Sequence, residues 1–281
     1  MGQRFGWDEM KTLYLSDLDG TLLRSDGSLS PFTRDAINKL SRQGVLFTFA
    51  TARTYATVIP MFQGVDLRQP LVLMNGVLLY DPVAKRTLRH HPLPVSLGRK
   101  AEEIFAKYGK NPMLYFEKDS TMRVEYKALC NEPQRHYVAQ RDNFYNKGFE
   151  QVERYHFDEG DFLYIVTLDK KNELEPLCRE MNALPGIHFN FYEDNYTDCY
   201  FLEGMSDKVS KATGAVEVKD LLGADRIVAF GDNLNDLPLF LAADESYAVA
   251  NAHPALKEKA TGVLDSNDSD AVARFLLSNA L

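Results

Sequence analysis

An α/β fold, a doubly wound parallel sheet interrupted by an inserted α+β unit, follows from three features of the sequence. Short, almost wholly apolar runs recur towards both ends of the chain, helical periodicities separate them, and the middle has a different rhythm. The runs are "TLYLS" (12–16), "VLFTFA" (45–50), "LVLM" (71–74), "RIVAF" (226–230) and "YAVA" (247–250). Without polar alternation, such runs suit strands buried on both faces, as in a parallel sheet covered by helices.

Between the first two runs, Ser30 can cap a helix, Pro31 suits its first position, Ile37 and Leu40 share a face, and Gly44 can close it. Similar periodicity covers 210–222 and 234–242. In "LVLMNGVLLYD" the Asn75-Gly76 pair is a strong type I′ turn signal between two apolar runs. Beyond it the pattern predicts a helix at 96–108, strands near 112–117 and 121–126, and a helix at 133–147. A strand at 162–168, a helix at 172–183 and strands near 187–193 and 198–202 follow. Helices and strands here are mixed rather than alternating, as in an α+β unit. Pro92 and Pro94 suit the linker into it, and the return falls near Gly204. The expected division is an N-terminal extension 1–10, a core of 11–88 and 203–281, and the inserted unit 89–202.

A net charge of −8 argues against a nucleic-acid partner, so an anionic ligand would need local positive groups. Three cysteines without a C-x-x-C suggest neither a disulfide framework nor a zinc site and fit a reducing cytoplasm. No apolar run is long enough to span a bilayer, so no membrane partner is expected.

In open parallel sheets, ligands bind beyond the carboxyl ends of the strands. There the first run ends in Asp17 and Asp19, the second in Thr51 and the third in Asn75. The fourth ends in Gly231, Asp232 and Asn233, with Asn235 and Asp236 a turn later. Several carboxylates in one crevice cannot all stay ionised without a cation, because like charges raise one another's pKa. Magnesium suits such a site: it takes one or two carboxylates and a substrate phosphate, which matches Asp17, Asp232 and a backbone carbonyl. Taken alone, "DLDGT" also reads as a strand-to-turn junction. A calcium loop does not fit, since counting from Asp17 puts Leu22 at the obligatory glycine and Ser28 at the bidentate glutamate.

From Lys11 to the C-terminus the chain carries, in order, "DLDGTLL", "ATAR", "SKATGAVEVKDLLGAD" and "GDNLND". These four resemble the motifs of the haloacid dehalogenase superfamily, in the Cof-type branch that carries a large α/β cap after the second motif. The resemblance implies phosphoryl transfer through an aspartyl-phosphate. Asp17 is then the nucleophile. Asp19 is the acid that protonates the leaving oxygen and the base that activates water, and so starts neutral while Asp17 is ionised. Thr51 donates to a phosphoryl oxygen, and Lys211 neutralises charge on the moving group. Gly20, Thr21 and the backbone near Leu18 add donors, while Ala52, Arg53, Asn75 and Gly76 are expected to meet the substrate. The implied ligands of Mg2+ are Asp17, the Asp19 carbonyl, Asp232 and Asp236, with Asn233 and Asn235 behind them. Spacing leaves open whether Asp236 or Asn235 touches the ion. Of the two lysines in "SDKVSK", the Ser-Lys of the third motif favours Lys211 over Lys208, which reads as a solvated helix-start residue.

The implied activity is that of a magnesium-dependent phosphatase acting on a small phosphate ester, in a monomer or small homo-oligomer. A sugar phosphate is expected, because a large lid would hinder a folded phosphoprotein. A phosphotransferase or mutase using the same site is the alternative, as is a regulatory protein that binds a phosphometabolite without turnover. Several residues also have simpler readings: Arg53 as a helix-start arginine paired with a surface acid, Asn75 as a turn residue, and Asp194-Asn195 as a turn between strands. His90, His91, His136, His156, His188 and His253 have no metal-ligand spacing.

Overall fold

The computed structural model describes residues 10–145, 148–194 and 197–281. Most of the expected N-terminal extension, and Asn195 of the expected Asp194-Asn195 turn, lie outside the described residues.

The first region runs β1 (Thr12–Ser16), α1 (Pro31–Arg42), β2 (Leu46–Phe49), α2 (Tyr55–Met61), β3 (Leu71–Leu73), β4 (Leu78–Asp81) and β5 (Arg86–His90). Next come α3 (Val95–Lys107), β6 (Met113–Lys118), β7 (Thr121–Tyr126), α4 (Glu132–Tyr145) and β8 (Phe149–Gln151). They are followed by β9 (Asp161–Asp169), α5 (Lys171–Met181), β10 (Ile187–Glu193) and β11 (Tyr200–Ser206). The chain ends with α6 (Lys211–Leu222), β12 (Arg226–Gly231), α7 (Leu237–Ala242), β13 (Glu245–Ala248), α8 (Pro254–Lys257), β14 (Gly262–Val263) and α9 (Ala271–Asn279).

Five strands form a parallel sheet in the order β14-β13-β12-β1-β2. The chain leaves β1 towards β2 on one side and later fills the other side with β12, so the order reverses between β1 and β12. A crevice opens at such a switch point because the connections leave in opposite directions. Two helix pairs, α1 with α9 and α6 with α7, pack along this region. The α1 start follows its expected chemistry: Ser30 accepts from the Thr33 N–H at 3.0 Å, and Pro31 opens the helix.

The "LVLM" run was expected in the parallel sheet. β3 does run parallel to that sheet but, among the described residues, joins it through one bridge only, Ala50 to Val72. Its ladder is the antiparallel one with β4 that the Asn75-Gly76 turn signal implies, in a three-stranded sheet β3-β4-β5. A run buried on both faces looks the same in sequence however far it stays paired with a neighbour. Asn75 (φ 57°, ψ 30°) and Gly76 (φ 96°) adopt the left-handed pair of a type I′ turn, closed by the Val77 N–H on the Met74 carbonyl at 3.2 Å.

The second large sheet, β10-β11-β9-β6-β7-β8, is antiparallel except for the β7–β8 pair. Alternation sorts its side chains between two clusters. Leu114, Phe116, Ile165 and Leu202 pack with α3 and α5 residues, whereas Met113, Tyr115, Tyr164 and Phe201 join the cluster that contains the parallel sheet. The two sheets are thus joined through one face. Tyr55 of α2 strengthens the junction by accepting from the Met122 N–H at 2.7 Å and donating to the Ser120 carbonyl at 3.1 Å.

Gly76 has a specific structural demand. A Cβ there would stand 2.1 Å from the Ser210 carbonyl oxygen, immediately before α6, and φ is positive. Gly76→Ala is therefore expected to lose stability by about 1–3 kcal/mol from backbone strain, with the clash adding to it. The shift in urea midpoint against wild type measures it.

Candidate active site

Lys211 is the first residue of α6, where the helix dipole disfavours a positive charge. It is also only 2% exposed. Two carboxylates compensate: its Nζ donates to Asp17 Oδ1 at 2.5 Å and to Asp236 Oδ1 at 2.7 Å. Asp17 caps the carboxyl end of β1 and is anchored by its N–H on the Phe230 carbonyl at 2.9 Å. Asp236 accepts at Oδ2 from the Asp232 and Asn233 N–H groups, both at 3.1 Å, so its two oxygens serve Lys211 and the turn after β12. Ser210 fixes the start of α6 by a reciprocal capping pair with Thr213.

Asp232 is reached from the other side by Thr21, whose hydroxyl donates to Oδ1 at 3.1 Å. Gly20 is required beneath it: φ is +77°, and a Cβ would lie 2.4 Å from Asp232 Oδ2. Oxygens of Asp17, Asp232 and Asp236 all lie within 4.8 Å of one another. Asp19 is held in a two-pronged ion pair by Arg53, Nε to Oδ2 at 2.8 Å and a terminal nitrogen to Oδ1 at 2.6 Å. The pairing favours the ionised form of Asp19, so the neutral acid that the sequence reading expects at the start would have to form once Arg53 is drawn elsewhere.

A crevice of ≈ 380 Å³ lies over these groups, lined near the strand ends by Asp17, Asp19, Thr51, Ala52, Arg53 and Lys211. Asp232, Asn233 and Asn235 line it as well. Four residues expected at the substrate stand elsewhere. Gly20 and Thr21 lie beneath Asp232, Gly76 packs on Ser210, and buried Asn75 donates to Tyr164 Oη at 2.9 Å. The type I′ geometry that makes Asn75-Gly76 legible also turns both inward. Lys208 is exposed, outside the cluster.

A profile of the haloacid dehalogenase-like hydrolases matches residues 14–276. The chain belongs to the haloacid dehalogenase-like hydrolases. This hydrolase is 26% identical over 270 residues to the pyridoxal phosphate phosphatase YbhA of Escherichia coli, covering 94% of this chain and 97% of the relative. It is 26% identical over 268 residues to the 5-amino-6-(5-phospho-D-ribitylamino)uracil phosphatase YitU of Bacillus subtilis, covering 92% and 94%. A solved haloacid dehalogenase-like hydrolase from Bacteroides thetaiotaomicron shares the fold, with a TM-score of 0.78 at 20% identity over 96% of this chain and 99% of that one. Among the described residues no helix is long and apolar enough to cross a membrane.

Sequence reasoning about this hydrolase missed Asn251, which follows β13 and donates to the Gly20 carbonyl at 2.8 Å. Applying the strand-end rule to "YAVA" as well would have found it. Tyr164 and Glu203, which also line the crevice, carry no such signal, because they lie within strands of the second sheet.

The electrostatics of the hydrolase site follow from burial. Burial drives the Asp17 carboxyl well above its ordinary range, Lys211 opposing and the charges of Asp236 and Asp232 adding to it. Burial works against the Lys211 charge, but Asp17 and Asp236 outweigh it and hold the ammonium above its usual range. Asp232 is pushed up to about 6, by burial first and then by Asp236. Fully ionised, three carboxylates against one ammonium would carry two negative charges, and the raised Asp17 and Asp232 carboxyls are how the metal-free cluster resists that state. A divalent cation with a preference for oxygen matches both that charge and those donors.

A carboxyl whose folded pKa is raised holds a proton that the unfolded chain has released. Its contribution to stability is therefore full at low pH and lost as pH rises from about 4 through about 6. In metal-free solution, Asp232→Asn is expected to gain on wild type across that window by on the order of 2 kcal/mol, as read from urea unfolding at several pH values.

Proposed function

We propose that the protein is a magnesium-dependent phosphatase that hydrolyses a small phosphorylated metabolite through a phosphoryl-Asp17 intermediate. The observation that carries this reading is the Asp17–Lys211–Asp236 cluster at the sheet's switch point, with Asp232 and the Asp19–Arg53 pair around it. Asp17, paired with a buried ammonium and open to a crevice, is a nucleophile already stripped of water, and a bound cation would hold it in the ionised form that burial resists.

Asp17 and Asp232, with the Asp19 carbonyl, would hold Mg2+, while Asp236 orients Lys211 and the turn that carries Asp232. When bound, the ion offsets the repulsion between an anionic nucleophile and an anionic substrate. Asp17 attacks phosphorus and the ester oxygen leaves. Lys211 and Thr51 stabilise the charge on the moving phosphoryl oxygens. An incoming phosphoryl oxygen competes for Arg53, and losing that partner lets Asp19 take up the proton it delivers to the leaving oxygen. Asp19 then removes a proton from the water that releases phosphate.

The segment 89–202, with β11 continuing to Ser206, acts in this reading as a cap that excludes water from the crevice. The reading includes a cytoplasmic setting, supported by the cysteine content. The expected sugar phosphate is one substrate class. Pyridoxal phosphate and a phosphorylated ribitylaminouracil, from the relatives' names, are others.

Phosphate release from a panel of esters, with and without magnesium, tests the reading. Turnover should require the metal, and Asp17→Asn should lower kcat by at least about 1,000-fold. Retained activity in Asp17→Asn would remove the nucleophile assignment, and transfer to a second sugar without free phosphate would favour a mutase.

A further inference from the structure

The half of the crevice farther from Asp17 has its own chemistry. Its wall is built from Tyr115, Tyr164, Tyr192, Phe201 and Glu203 of the second sheet and Tyr137 of α4. Strand alternation sends the strand residues among them to the face opposite α3 and α5, where Tyr137 meets them from α4. Tyr192 and Phe201 stack at 5.5 Å between centroids, and Tyr115 meets Tyr164 edge to face at 6.1 Å. The wall is therefore a surface of ring faces and edges.

Its hydroxyls are already engaged with one another and with Glu203. Tyr115 and Tyr137 share a hydrogen bond of 2.9 Å, and Tyr164 donates to Glu203 Oε2 at 2.9 Å. The charge of the same carboxylate acts on the Tyr192 phenol as well. Burial, then the Glu203 charge, pushes the Tyr164 and Tyr192 phenols well above their usual range, so both stay donors. A sugar ring needs a separate polar partner for most of its hydroxyls, and hydroxyls tied into a network serve that need poorly.

The charge of this half is negative as well. Among the described residues that line it, Glu193, Asp194 and Glu203 are acidic, and Arg141 is the basic one. The Arg141 guanidinium lies 3.6 Å over the Tyr137 ring. Glu203 is only 6% exposed, so its charge acts in a medium that strengthens it. A leaving group that is itself anionic is disfavoured there.

We propose that the leaving group is a planar nitrogen heterocycle carrying an N–H donor or a protonated nitrogen, stacked on the aromatic wall and paired with Glu203. This rests on the phosphatase reading and names the substrate class of the same site. Asn75 links the two halves: its Nδ2 reaches Tyr164 Oη at 2.9 Å and Glu203 Oε2 at 3.4 Å, while its N–H donates to the Thr51 carbonyl at 2.9 Å. Glu203 is thus a specificity-determining residue, and Asn75 a positioning residue that sets its distance from the phosphoryl loop.

Steady-state phosphate release from pyridoxamine 5′-phosphate, phenyl phosphate and glucose 6-phosphate, each with magnesium, tests this. Pyridoxamine 5′-phosphate should exceed both others in kcat/KM by at least about tenfold. Phenyl phosphate separates stacking from the donor, and Glu203→Gln should lower the pyridoxamine-to-phenyl ratio by at least about tenfold, chiefly through KM. If Glu203→Gln does not melt cooperatively, Phe201→Leu should lower both ring esters relative to glucose 6-phosphate. Glucose 6-phosphate turned over as well as the heterocycle, or ratios unchanged in the folded variant, overturns this inference alone. No phosphate from any ester overturns the phosphatase reading and this inference with it.

Discussion

One buried ammonium between two carboxylates organises this molecule. Lys211 opens a helix at the end where positive charge is disfavoured, and it is shut away from water. Neither condition is tolerable unless Asp17 and Asp236 stand at hydrogen-bond distance. That requirement fixes the relative placement of three elements: the end of β1, the start of α6 and the turn after β12. Removing one partner would leave an uncompensated charge, typically a loss of about 3–5 kcal/mol, so the cluster is a folding constraint as well as a chemical device.

Close backbone approaches make this placement possible. The type I′ turn at Asn75-Gly76 abuts Ser210 just before Lys211, and Gly20 lets the turn after β1 lie against Asp232. The same turn holds Thr51 through the Asn75 N–H and reaches Tyr164 through the Asn75 side chain. A single tight turn therefore ties the loop that carries Thr51, the helix that carries Lys211 and the wall of the second sheet together. Arg53, fixed on Asp19 by two hydrogen bonds, completes the set.

The parallel sheet and its strand-end residues were legible because burial on both faces writes an unbroken apolar run, and polar residues at the run's end stand out against it. Asp17, Asp19, Thr51, Lys211, Asp232 and Asp236 all come from that contrast or from motif order. The antiparallel β3–β4 pairing was legible from the Asn75-Gly76 turn. What was not legible is that β3 meets the parallel sheet by a single bridge rather than a full ladder, since an apolar run does not record how far it stays in register with a neighbour. Strands β5 and β8, exposed along much of their length, lack the apolar run that betrays a strand. Glu203 was hidden for a related reason. Its neighbours in β11 read as an ordinary strand, and only the fold shows that its face looks onto the crevice.

Rapid acid quench during turnover, followed by peptide mapping, addresses the central claim most directly. A phosphoryl group on Asp17, within the peptide covering residues 12–23, is the expected result. Finding it on another side chain, or finding rapid turnover in which no quenched sample carries it on Asp17, would contradict the claim.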